Sequence, residues 1–212
     1  MINLQRVVDV CRRHRMVLAY DNPYCELTFD GYRAPSIFEF GGAREVALEF
    51  HSLSKSFSMT GWRVGWVCGN AEIIAALSKV KTYTDTGPFL ALQAAGVPVL
   101  DQAEPLITQI VSKFKERRDA GVDALRAIGL LIEPPKGAMY LWVPLPVGVE
   151  SAEFARRALE QEGVVMLHGS SFGPSGEGFF RLALTVSPER LREAVQRMAR
   201  VLERVEVAGA AR

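Results

Sequence analysis

Apolar positions first recur at helical spacing over 2–14, with Leu4, Val7, Val8 and Cys11 on one face. They then close into a short continuous run, Met16-Val-Leu-Ala-Tyr20, that stops at Asp21. An unbroken apolar run of this length predicts a buried parallel strand, with the acid at its C-terminal end. Residues 31–42 are rich in Gly, Pro and aromatics and read as a loop. Val46 to Phe50 and Trp62 to Cys68 predict two more strands, the second closed by Gly69-Asn70. The period returns to helical over 71–81, where Ile73, Ile74 and Leu77 share a face, and over 89–100, where Pro98 should kink or end the helix.

The longest helical pattern, 104–128, has a highly charged middle, Lys113-Phe-Lys-Glu-Arg-Arg-Asp119, and predicts a solvated linking helix rather than a basic binding patch. Beyond the turn at Pro134-Pro135-Lys136-Gly137, strands are expected over 139–143, 164–167 and 179–184, with a helix over 151–162. Ser187-Pro188-Glu189 joins a hydroxyl N-cap, proline at the first helical position and an acid in the first turn. The last helix is expected to reach about Val205, with 208–212 frayed. The fold class expected is therefore α/β with parallel strands over 1–102, followed by a linking helix and a smaller α+β domain over 103–212.

Composition removes several classes of function. Net charge is +1 and charged residues are 23%, so no overall field favours nucleic acid or an anionic membrane. No apolar run reaches the roughly 18 residues of a membrane span, and the first residues lack a cationic region followed by an apolar one. Neither a nucleic-acid nor a membrane partner is expected. Cys11, Cys25 and Cys68 are odd in number and unpaired in spacing, which predicts reduced thiols in a cytoplasmic protein. His14, His51 and His168 show no ligand spacing, and no metal site is expected.

The segment His51-Ser-Leu-Ser-Lys-Ser-Phe-Ser-Met-Thr-Gly-Trp-Arg63 surrounds one lysine with hydroxyls and places an arginine eight residues on. Upstream stands Asp21-Asn-Pro-Tyr24. An amine, an acid, a phenol, hydroxyls and a guanidinium are the groups that hold and use pyridoxal phosphate (PLP). Each has a plainer reading: Asp21 opening a turn, Tyr24 at a core edge, Lys55 on the surface, Arg63 at a strand start. Ser52-Leu-Ser-Lys55 also matches the Ser-x-x-Lys of serine β-lactamases and penicillin-binding proteins. That chemistry needs Ser-Asp-Asn and Lys-Thr-Gly partners, and this chain offers only Lys81-Thr82-Tyr83.

Together, Asp21-x-x-Tyr24, Ser52-x-Ser-Lys55 and Arg63 resemble the signature of class I/II aminotransferases, the fold-type I PLP enzymes. The resemblance implies the C-terminal part of that fold: the remnant of a parallel-sheet large domain and a small α+β domain. It implies that Lys55 forms the Schiff base and shuttles the Cα proton. Asp21 would meet the pyridine nitrogen and Tyr24 the ring oxygen, with Ser52, Ser54 and Arg63 on the phosphate. Gly178-Phe-Phe-Arg181-Leu-Ala-Leu resembles the family's C-terminal strand, which gives Arg181 the substrate α-carboxylate. Gly163 to Gly173 is similar to the loop before that strand, with His168 where the family usually has Pro. Tyr83 to Phe89 and Pro135 to Pro144 look like diaminopimelate-type enzymes.

The family's N-terminal arm, phosphate-binding glycine turn, stacking aromatic and ring-oxygen asparagine have no counterpart here, so a piece of a longer protein is expected. The resemblance implies a homodimer that moves an amino group between an L-amino acid and a 2-oxo acid. A PLP-dependent carbon–sulfur lyase, or an inactive fragment needing a partner chain, is the alternative.

Overall fold

A computed structural model describes residues 3–85 and 87–210, with side chains through 204. Two compact units result, Met1–Val111 and Ser112–Arg212.

In the first unit, α1 (Leu4–Arg13) begins where the Asn3 side chain accepts the Arg6 N–H and buries Val8 and Cys11. Strand β1 (Leu18–Asp21) follows, later than the apolar run predicts and with Asp21 as its last residue. Between β1 and the next strand lie a 3₁₀ turn over Ile37–Glu39 and the one-turn helix α2 (Ala43–Val46). Strand β2 (Ala47–Ser52) runs parallel to β1, with Tyr20 opposite Glu49 and Asp21 opposite Phe50. The one-turn helix α3 (Leu53–Ser56) and a 3₁₀ turn over Thr60–Trp62 lead to β3 (Gly65–Gly69).

Two expectations change here. Strand β3 is antiparallel to β2, so the sheet is mixed, in the order β1-β2-β3. It also starts three residues later than predicted, because Arg63 takes a left-handed backbone (φ 56°) that breaks the extended run. Gly65 suits the close approach that follows: a Cβ there would lie 2.7 Å from the His51 carbonyl oxygen.

The core of this unit gathers Val8, Ile37, Ala43 and Ala47, with Leu18 and Tyr20 packed against it. Leu18, Tyr20, Ala47 and Glu49 therefore share one face of the sheet, and alternation puts Asp21, Phe50 and Ser52 on the other. Helices α4 (Ala71–Thr84) and α5 (Leu90–Asp101) bury almost nothing: no residue of α4, and only Gly96 of α5. Pro98 sits inside α5 rather than ending it. It lies in the last turn, where only one helical hydrogen bond is forfeited and its own carbonyl accepts the Gln102 N–H.

Helix α6 (Ala103–Ala127) runs from the first unit into the second and is less solvated than its charge predicts. Phe114, Arg118, Ala120, Gly121, Val122 and Leu125 are buried. Arg118 is satisfied by Asp119 and by the Pro135 carbonyl. Gly121 allows the helix to lie on the sheet of the second unit, where a Cβ would come within 3.0 Å of Leu141.

That sheet has the order β4-β6-β5 and is antiparallel throughout, from β4 (Tyr140–Pro144), β5 (Leu167–His168) and β6 (Phe179–Ala183). Strand β5 is shorter than the predicted 164–167 and ends one residue later. Helix α7 (Ser151–Glu162) matches its expected bounds and ends at Gly163 in the left-handed conformation. Helix α8 (Pro188–Ala210) starts as its sequence predicts, with Ser187 Oγ accepting the Arg190 N–H, and continues past Val205. Of the tail expected to fray, residues 211–212 lie outside the described residues, as does Thr86.

The core of the second unit holds Leu141, Phe154, Phe180, Leu184, Leu191 and Met198, with the Phe154 and Phe180 rings 5.5 Å apart. Both phenylalanines are wholly buried. Phe154→Ala should therefore cost about 3–5 kcal/mol in denaturant unfolding, by lost burial plus a cavity.

Candidate active site

Parallel β1 and β2 end at the same edge of their sheet, and antiparallel β3 begins there. Open α/β sheets commonly bind ligands outside the carboxyl ends of their strands. Asp21 is the last residue of β1, and the next residue extends the ladder, Asn22 N–H donating to the Phe50 carbonyl at 3.0 Å. Ser52 is the last residue of β2 and Lys55 lies in the helical turn that follows. Ser52 Oγ accepts the Ser54 N–H at 3.1 Å, which turns the chain from strand into α3. Arg63 stands just before β3, its guanidinium donating to the Thr60 carbonyl at 2.9 Å. Thr60 in turn donates to the Ser54 carbonyl at 2.9 Å, so the lysine and arginine segments are tied together.

Lys55 Nζ lies 5.6 Å from the centre of the Tyr24 ring, within the range of a cation–π contact. Topology thus brings Asp21, Tyr24, Ser52, Ser54, Lys55 and Arg63 to one edge of the first unit. Arg181 belongs to the second unit. It lies on β6 opposite Trp142, with its guanidinium 4.2 Å from the Tyr140 ring centre and 4.7 Å from that of Phe172. Aromatic faces hold this cation without neutralising it, so its donors remain suited to a carboxylate.

Sequence reasoning passed over the groups behind this edge. Glu49 on β2 is only 1% exposed. Its Oε1 accepts from Asn22 Nδ2 at 2.9 Å and lies 3.3 Å from His51 Nε2; its Oε2 accepts from Ser36 Oγ at 2.6 Å and Ile37 N–H at 3.0 Å. His51 stacks on Trp66 with centroids 5.2 Å apart. The His51 Nε2 faces the Glu49 carboxylate, and its Nδ1 faces Cys25 Sγ at 3.7 Å. A signal was present in the sequence: an acid inside the apolar strand Val46-Ala-Leu-Glu-Phe50.

Tyr20 and Cys25 border the same cluster. Burial, then the Glu49 carboxylate, push the Tyr20 phenol up. Burial, then the Glu26 carboxylate, push the Cys25 thiol up to about 11. Cys25, His51 and Glu49 have the order of a thiol–imidazole–carboxylate relay. An activated thiol needs a lowered pKa, however, and desolvation works the other way. Cys11, Cys25 and Cys68 are all free. Among the described residues, no group of three or more His, Cys, Asp or Glu is placed to hold a metal ion, and no helix is long and apolar enough to cross a membrane.

The family model for aminotransferase class I and II matches residues 2–198. The chain is 44% identical over 202 residues to the LL-diaminopimelate aminotransferase of Moorella thermoacetica, covering 95% of this chain and 52% of that protein. Identity to LL-diaminopimelate aminotransferase 2 of Trichormus variabilis is 45% over 194 residues, covering 92% and 50%. Among solved structures, the probable N-succinyldiaminopimelate aminotransferase of Thermus thermophilus superposes with a TM-score of 0.87 at 35% identity, covering 94% of this chain and 53% of that one. The aromatic aminotransferase of Pyrococcus horikoshii gives 0.89 at 30%, covering 96% and 55%. The chain spans about half the length of the curated relatives it matches.

With its thiol near 11, Cys25 holds only about 1% thiolate at pH 9. Its alkylation by iodoacetamide should stay slow at pH 8 and rise about tenfold per pH unit towards pH 11, read by mass spectrometry of the labelled peptide. Fast labelling at pH 7 would mean an activated thiol instead.

Proposed function

The chain belongs to the class I and II aminotransferases, and on that premise we propose that Asp21, Tyr24, Ser52, Ser54, Lys55 and Arg63 form the PLP-holding part of a transaminase site. The observation that carries this reading is their convergence at one sheet edge, with the Lys55 amine over the Tyr24 ring. The first unit is then part of a PLP-binding large domain. The second contributes the small domain.

The donor set fits the cofactor group by group. Ser52 Oγ accepts a backbone N–H, which leaves its own O–H to donate to a phosphate oxygen alongside Ser54 and the Arg63 fork. The Asp21 carboxylate would hold a proton at the pyridine nitrogen by a charge-assisted hydrogen bond. The Tyr24 hydroxyl would donate to the ring oxygen. Lys55 makes no hydrogen bond or ion pair among the described residues, so its amine is available for covalent attachment.

When bound, PLP supplies an electron sink that stabilises negative charge developing at the substrate Cα. Lys55 Nζ would hold the cofactor covalently and, once free, would take and return the proton at the substrate Cα. Arg181, boxed by Tyr140 and Phe172, orients the substrate α-carboxylate through its paired donors. An L-amino acid gives up its amino group and a 2-oxo acid receives it. The names of the similar LL-diaminopimelate aminotransferases support an amino-acid substrate of the diaminopimelate type, used in amino-acid biosynthesis.

A homodimer and a cytoplasmic location belong to the same reading; the three free cysteines support a reducing compartment. A second reading, a chain active only with a partner, is favoured by a different observation. Apolar side chains on α4 and α5 lie open, with Tyr83 86% and Leu90 76% exposed, and stripes of this kind usually mark an interface.

The test is the visible absorbance of the purified chain titrated with PLP. The wild type should develop a band that Lys55→Ala lacks, and Arg63→Ala should bind PLP about tenfold more weakly or worse. Absence of the band in the wild type would overturn the reading for the isolated chain and favour the partner-dependent one. In the active assembly, Arg181→Ala should raise KM for amino donors roughly 10- to 100-fold and leave the PLP band unchanged.

A further inference from the structure

Glu49 is almost fully buried, yet both its oxygens are taken by donors from three separate segments. Asn22 directly follows Asp21, His51 directly precedes Ser52, and Ser36 and Ile37 open the 3₁₀ turn over Ile37–Glu39. Alternation along the parallel pair sets Glu49 on the sheet face opposite Asp21 and Ser52, so it has no direct route to a group bound at that edge.

We infer that Glu49 is a positioning residue: a pin behind the sheet that fixes the Asp21–Tyr24 turn relative to the Ser52–Lys55 turn. The inference rests on the proposed PLP site and names what holds that site in register.

The chemistry of the cluster makes the carboxylate hard to replace. Three hydrogen-bond donors and the His51 imidazole converge, and a carboxylate offers acceptors alone. Glutamine at this position turns one acceptor into an NH₂ group. That group then faces either Asn22 and His51 or Ser36 and Ile37. A serine hydroxyl or an imidazole can exchange roles, but the Ile37 N–H cannot, and the Asn22 amide could do so only by turning its oxygen onto the Pro35 carbonyl that its Nδ2 now reaches. A buried donor left facing a donor loses its hydrogen bond and its water together. The segment that yields is free to move, and small displacements of an amine or carboxylate at a reacting centre are costly.

The experiment compares the wild-type chain with Glu49→Gln and Tyr20→Phe. Tyr20→Phe removes the hydroxyl's hydrogen bond to the Pro35 carbonyl, which Asn22 Nδ2 also reaches at 3.3 Å, and leaves each of the Glu49 contacts in place. Two readouts are taken. The first is amide hydrogen exchange without PLP over 21–24 and 52–55, and the second is PLP affinity with the pH midpoint of the Lys55-dependent absorbance. Expected for Glu49→Gln are faster exchange in both turns, PLP bound about tenfold more weakly or worse, and a shifted pH midpoint. Tyr20→Phe should leave the midpoint in place.

If Glu49→Gln does not fold, Asn22→Ala and His51→Phe each remove one arm of the pin and should each loosen the turn on their own side. Unchanged exchange and an unchanged midpoint in the folded Glu49→Gln chain, or in both single-arm variants, would overturn the assignment. A wild-type chain lacking Lys55-dependent absorbance would overturn the cofactor reading alone, and the exchange rates would still decide the pin.

Discussion

A carboxylate taken out of water must have every oxygen met by a donor, or the chain carries a desolvation cost of several kcal/mol. Glu49 meets this demand with a side-chain amide, an imidazole, a hydroxyl and a backbone N–H. Those donors come from the end of β1, the end of β2 and the loop between them. Satisfying one buried acid therefore specifies how three segments sit, and the edge formed by β1 and β2 inherits its order from that requirement. The cluster is also closed: among the described residues, no buried side-chain nitrogen or oxygen lacks a partner.

Parallel pairing supplies the second constraint. Because β1 and β2 run the same way, the residues that leave them emerge at one edge, and the turns that follow carry Asp21, Tyr24 and Lys55. Antiparallel β3 starts at that edge, which leaves Arg63, two residues before it, there as well. A one-residue slip between β1 and β2 would move Asp21 to the opposite face and separate Asn22 from Glu49. Register, the buried acid and the convergent polar groups thus depend on one another.

The second unit solves a different problem with aromatic rings. Arg181 is half-buried on a strand, where an unpaired charge is costly, and the Tyr140 and Phe172 faces stabilise it without an acid. Trp142 extends the cluster, edge-on to Phe172 and stacked on Phe179. A guanidinium held this way keeps its fork for a ligand carboxylate. An Arg–Asp pair at the same place would not.

The sequence by itself determined most elements and the main chemical groups. Apolar runs marked β1, β2 and β6, helical periods marked α1, α4 and α7, and Ser187-Pro188 marked the start of α8, because these signals are local. Hydroxyls around a single lysine, with an acid upstream and an arginine downstream, marked the candidate site for the same reason. The tertiary structure decided what depends on distant partners. It set β3 antiparallel, with a start delayed by the left-handed backbone at Arg63, and carried α5 through Pro98. It turned Arg118 inward from a run that looked solvated. It also gave Glu49 its place, since an acid in an apolar strand reads as an exception until Asn22, Ser36 and His51 are folded around it.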